Sequence, residues 1–152
     1  MSSFFEIKQI DRDTVNYLVR NLEDFEKDKA IKSGLMSAGA VFKAGGKRRL
    51  KSSMKSGSQG VTGNLLQSFH VRVKRSKPGM LAGFKQGKNK GGHAHLIDRG
   101  TKERYWKTKN KSTGRVIASR FWSDTEAQDY PKAVDKLYIG IERAVNRISS
   151  RR

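Results

Sequence analysis

Leu65-Leu66-Gln67-Ser68-Phe69-His70-Val71-Arg72-Val73-Lys74 is the stretch whose reading decides the fold. Leu65, Phe69, Val71 and Val73 fall on one side of an extended chain, while Ser68, His70, Arg72 and Lys74 fall on the other. Such alternation predicts a half-buried strand in an antiparallel sheet with one wet face. Residues 76–79, with Pro78, make a turn, and Met80 to Lys85 reads as the returning strand. His93 to Arg99 is the third strand candidate, closed by Gly100. Val116, Ile117 and Ala118 read as a final edge strand.

Helical periodicity brackets this centre. Val15, Leu18, Leu22 and Phe25 recur at helical spacing in a short amphipathic helix over 13–29, with Asp11 or Asp13 placed to cap it. A second pattern runs over 28–54 through Ile31, Leu35, Ala38, Phe42, Leu50 and Met54. Gly34, Gly39, Gly45 and Gly46 weaken it by about 1 kcal/mol each against alanine. The Gly45-Gly46 pair is a place for it to end or bend, and Gly39 would admit a close backbone. Toward the C-terminus Asp124 is a cap candidate and Pro131 suits a first turn or a kink. Val134, Leu137, Ile141, Ala144 or Val145, and Ile148 then form the clearest amphipathic helix. The expected class is α+β: a small antiparallel sheet packed against N-terminal helices and a long C-terminal helix. One domain spans 1–152, with mobile basic loops near 85–92 and 101–115.

Formal net charge is +19 over 152 residues, with only 35% apolar residues. A chain so basic repels itself unless a polyanion, an acidic partner or salt offsets the repulsion. Cysteine is absent, which removes disulfides, thiol catalysis and thiolate metal sites together. Met1 to Ile10 lacks the apolar core of a signal peptide, and no run approaches a membrane span. The expectation is a soluble protein with no membrane partner.

Sites of chemistry are thin. His93 and His95, at i and i+2 on a strand, would share a face and invite a metal with His70 or Asp98. Asp98 falls on the opposite face, and no cysteine or glutamate adds a ligand, so no metal site, cofactor or catalytic residue is assigned. Gly57, Gly60 and Gly63 precede a strand, whereas a dinucleotide-binding turn follows one. Lys47 with Gly45 and Gly46 lacks phosphate-loop spacing. Lys88, Lys90, Lys102, Arg104, Lys107, Lys109, Lys111 and Arg115 can neutralise phosphates or meet acidic protein partners, with Tyr105 and Trp106 for stacking or for anchoring an interface. No element for reading sequence accompanies them.

Two ordered segments carry a resemblance. The first, Gly60-Val61-Thr62-Gly63-Asn64-Leu65-Leu66-Gln67-Ser68-Phe69, is a variant of the turn-into-strand pattern D-T-G-x-L-x-x-S-I. The second, His93-Ala94-His95-Leu96-Ile97-Asp98-Arg99-Gly100-Thr101, is close to Y-A-x-x-x-E-x-G-T, and Ala118-Ser119-Arg120-Phe121-Trp122 follows where an A-R-P-F-L-R-P-A segment is expected. Over about residues 31–148 the chain resembles the HK97 gp10-like family of tailed-phage neck and tail-completion proteins. Val61 stands in place of an acidic residue, Asp98 in place of glutamate, and the prolines around Phe121 are missing.

The resemblance implies a non-enzymatic virion protein. It would form a homo-oligomeric ring in the neck, between the portal or connector and the tail proteins, and be present in the host cytoplasm during assembly. Thr62, Gly63, Asn64, Leu65, Asp98, Arg99, Gly100, Thr101, Phe121 and Trp122 are then fold-motif or interface residues. The basic loops would reach neighbours, with some contact to packaged DNA. The competing reading is a small basic nucleic-acid-binding module with non-specific DNA contacts. A nuclease is a third class, for which no catalytic set stands out.

Overall fold

A computed structural model describes residues 5–6, 12–53, 64–74, 79–88 and 90–151. Its elements run β1 (Phe5–Glu6), α1 (Arg12–Val19), α2 (Asp24–Ser53), α3 (Asn64–Gln67), β2 (Phe69–Val73), β3 (Met80–Phe84), α4 (Ala94–Arg99), β4 (Arg104–Trp106), β5 (Lys111–Gly114) and α5 (Phe121–Ser149). The class is α+β, with two small antiparallel sheets and a long C-terminal helix. In the first sheet β3 lies between β1 and β2; Phe69 pairs with Phe84, Val71 with Ala82 and Val73 with Met80. The second is the β4–β5 hairpin.

The two long helices build the body. At 30 residues α2 extends about 45 Å, and it is covered on two sides. Ideal Cβ positions at Gly34 would meet Leu137 and Ile141 of α5, whereas at Gly46 they would meet Phe69 of β2 and Trp122 of α5. Ala30, Leu35, Ala38, Phe42 and Leu50 are buried between these layers. Because Gly34, Gly39, Gly45 and Gly46 all lie on the buried sides of α2, these glycines serve packing. Gly45-Gly46 therefore sits inside an unbroken helix and does not end it.

Several boundaries differ from the sequence reading. The expected helix over 13–29 is two helices: α1 stops at Val19, and α2 starts where the Glu23 N–H donates to the Glu26 carboxylate at 3.2 Å, half of a capping box. Phe25, assigned to the apolar face, is 78% exposed at that corner. Residues 64–67 form a helical turn, so strand begins at Phe69 rather than Leu65.

The largest correction concerns 93–99: Ala94–Arg99 is a helix with His93 at its N-cap, not a third strand. Ala94 and Asp98, four apart, are both buried, so they share a helix face. Nor are 116–118 a sheet strand: the strand pair lies earlier, in 104–114. Finally, α5 starts at Phe121, three residues ahead of Asp124, and Pro131 lies within it. The reason for that early start is the arrangement around Asp98.

Candidate functional site

Asp98 is 6% exposed and is the N-terminal cap of a helix more than twenty residues away. Its Oδ1 accepts the backbone N–H groups of Trp122 and Ser123, each at 2.9 Å, and its Oδ2 accepts the Ser123 hydroxyl at 2.6 Å. The Arg120 N–H donates to the Asp98 carbonyl at 2.9 Å, and Ser119 donates through both N–H and Oγ to the Ile97 carbonyl. Free N–H groups at a helix start require acceptors, and a carboxylate there also complements the helix dipole. Asp124, the cap expected from sequence, instead lies in the first turn and pairs with Arg120 at 3.5 Å.

The rest of the Asp98-Arg99-Gly100-Thr101 quartet ties α4 to the hairpin. Gly100 has φ of +76°, and a Cβ there would press on the Val116 carbonyl and the Ala118 backbone nitrogen. The Thr101 N–H donates to the Val116 carbonyl at 2.9 Å, and its Oγ1 accepts the Val116 N–H at 2.9 Å. Arg99 is exposed beside this junction. Four consecutive residues thus join the end of α4, the root of the hairpin and the start of α5.

Phe121 and Trp122 point the other way, into the core. With Phe69 and Phe84 they form an aromatic cluster: ring centroids are 4.6 Å apart for Phe69–Phe84 and 5.0 Å for Phe84–Trp122, in tilted and edge-on geometries. These contacts pin the start of α5 to the sheet. Leu65 is buried and Asn64 half-buried in α3, while Thr62 and Gly63 lie outside the described residues.

Every residue of 102–115 is exposed, Tyr105 and Trp106 included. Lys102, Arg104, Lys107, Lys109, Lys111 and Arg115 are brought together on the hairpin and its root; Lys88 and Lys90 are exposed on a separate turn after β3. His93 and His95 are exposed, and His70 is half-buried in β2. Burial holds the His70 pKa below its ordinary value, helped by the charges of Lys85, Arg72 and Lys43. Among the described residues, no three His, Cys, Asp or Glu side chains are grouped to hold a metal ion.

One polar cluster had no signal in the sequence. Arg49 of α2 reaches Asp129 of α5 at 2.7 and 3.1 Å, and also donates to Thr125 Oγ1 and Gln128 Oε1, both at 3.1 Å. Its side chain is 17% exposed and that of Asp129 12%. The hydrogen bond to Asp129 raises the guanidinium pKa against the opposing effect of burial. Its partners are 80 residues apart, and each alone reads as an ordinary surface charge on a helix. An open hollow of about 400 Å³ beside it is lined by Ser37, Val41, Arg48, Lys132 and others.

Neither a family model nor any curated protein or solved structure matches this chain.

Proposed function

We propose that the chain is a structural subunit of a tailed-phage neck, forming a ring between the portal-side connector and the tail. The observation that carries this reading is the junction at Asp98. The segments that resemble the HK97 gp10-like family, 93–101 and 118–122, meet there, and their polar groups are engaged in holding helix, hairpin and sheet together. A carboxylate whose two oxygens already accept three hydrogen bonds serves architecture rather than proton transfer. In this reading the subunit is non-enzymatic and resides in the virion, having assembled in the host cytoplasm.

Exposed apolar side chains supply material for subunit contacts. Tyr17 and Phe25 lie at the α1–α2 corner, Met36 on α2, Ile139 on α5 and Ile117 at the hairpin root. They come from α1, α2, α5 and the hairpin root, and in a ring one face of a subunit meets a different face of the next. Electron microscopy of the purified chain, alone and with portal and tail proteins of the same virus, tests this reading. Closed rings that dock on the portal assembly are expected. A chain that stays monomeric at every concentration and ignores both partners overturns it.

A further inference from the structure

The β4–β5 hairpin has no means of burying itself. No residue of 102–115 belongs to the hydrophobic core, and a two-stranded ribbon alone is only marginally stable in water. Its base is nonetheless closed by the Thr101–Val116 hydrogen bonds, and its strands are tied by the Ser112 hydroxyl on the Glu103 carboxylate at 2.7 Å. It projects six cations against that single carboxylate, and none of the six has an ion-pair partner among the described residues. Tyr105 and Trp106, neighbours on one strand, face opposite sides of the ribbon and are 58% and 55% exposed. Where the ribbon meets the body, an open hollow of about 520 Å³ is lined by Arg99, Lys102 and Arg115 with the backbone of Gly100 and Thr101.

We infer that the hairpin and the cationic hollow at its root form a binding site for duplex DNA, held by non-specific contact with the phosphate backbone. Charge complementarity selects a polyanion. Its character further favours nucleic acid over an acidic protein: four of the six cations are lysine, a residue depleted from protein–protein interfaces, whereas protein–DNA interfaces are strongly positive. Shape agrees. A two-stranded ribbon fits the major groove of B-form DNA, about 12 Å wide, where cations on both edges reach the phosphates of both walls. The exposed aromatic rings then lie against the groove and lose their solvent contact. The inference does not depend on a place in a phage neck, since it rests on the hairpin's own charge and shape.

A chain of net charge +19 will attract DNA anywhere on its surface, so the test has to locate the contact. Fluorescence anisotropy of a labelled generic DNA duplex across a salt series is measured for the native chain and two triple variants. One is Lys107→Gln/Lys109→Gln/Lys111→Gln in the hairpin; the other, Lys132→Gln/Lys136→Gln/Arg143→Gln, removes equal charge from exposed positions of α5. The hairpin variant should lose at least tenfold in affinity at moderate salt and flatten the log–log salt slope by about 2.7, the amount for three lost phosphate contacts. The α5 variant should change both by much less. Equal effects from the two variants would show attraction to net charge alone and overturn the site. Hairpin-dependent binding of a polyglutamate peptide, with duplex DNA left unbound, would assign the hairpin to an acidic protein and overturn it as well. Neither result would bear on ring formation, which is read by microscopy.

Discussion

Asp98 shows how one side chain can set where a distant element begins. Removing its carboxylate in Asp98→Ala leaves the amides of Trp122 and Ser123 without acceptors in a largely buried place. The expected cost is about 2–3 kcal/mol, read as a lower urea midpoint, with Asp98→Asn closer to 1 kcal/mol because one acceptor oxygen remains. A loss under about 0.5 kcal/mol for the alanine variant would show that water caps α5 as well. His70 gives a pH signature. Its folded pKa lies below the ordinary 6.5 because burial disfavours the imidazolium. The unfolded chain then binds the proton first as pH falls, so stability is full above about pH 6.5 and declines below it. Urea midpoints should fall between about pH 7.5 and 5.5, more steeply for the native chain than for His70→Gln. Identical slopes would remove His70 as the cause. The sequence drew attention to Asp98 through its neighbours Gly100 and Thr101. Its role was hidden because a cap normally comes from the residue just before its helix, and here it comes from another helix altogether.

Among the elements, the contact between α2 and α5 fixes the body. Gly34 and Gly140 meet there: a Cβ on Gly34 would stand 2.5 Å from Ile141 Cγ1 and 2.6 Å from the Leu137 carbonyl. Gly34→Ala gains about 1 kcal/mol of helix propensity yet must push two helices apart, at a cost of about 1–3 kcal/mol. Lower thermal stability is expected from calorimetry, and a stabilised variant would show that the helices separate freely. Arg49 and Asp129 join the same pair of helices. Arg49→Met strands a buried carboxylate and should cost about 3–5 kcal/mol, most of it recovered in Arg49→Met/Asp129→Leu. A double variant no better than the single one would mean that the ion pair itself carries the stability.

These elements also show what periodicity can and cannot convey. The β2–β3 pair and the face of α5 were legible because Phe69, Val71 and Leu137, Ile141 repeat at the spacing of their own structure. The Ala94–Arg99 helix was not, since six residues span fewer than two turns and either period fits them. The glycines of α2 looked like breakers because a glycine's value lies in what packs on it, which a linear sequence does not record.

For the whole molecule, charge is the governing property. Lysine and arginine number 33 against 14 acids, and the described acids with clear structural work, Asp98 and Asp129, are engaged inside the fold. The excess is left on the surface, six of its cations on the hairpin and its root. The neck reading joins this surface to a symmetric particle, whose packaged genome and other proteins can balance the charge. Antibody raised against the chain and applied to intact virions that encode it, imaged by electron microscopy, tests that placement most directly. Label confined to the junction of head and tail is the predicted result; label over the capsid surface, or none on the particle with the chain left in the host lysate, would contradict it.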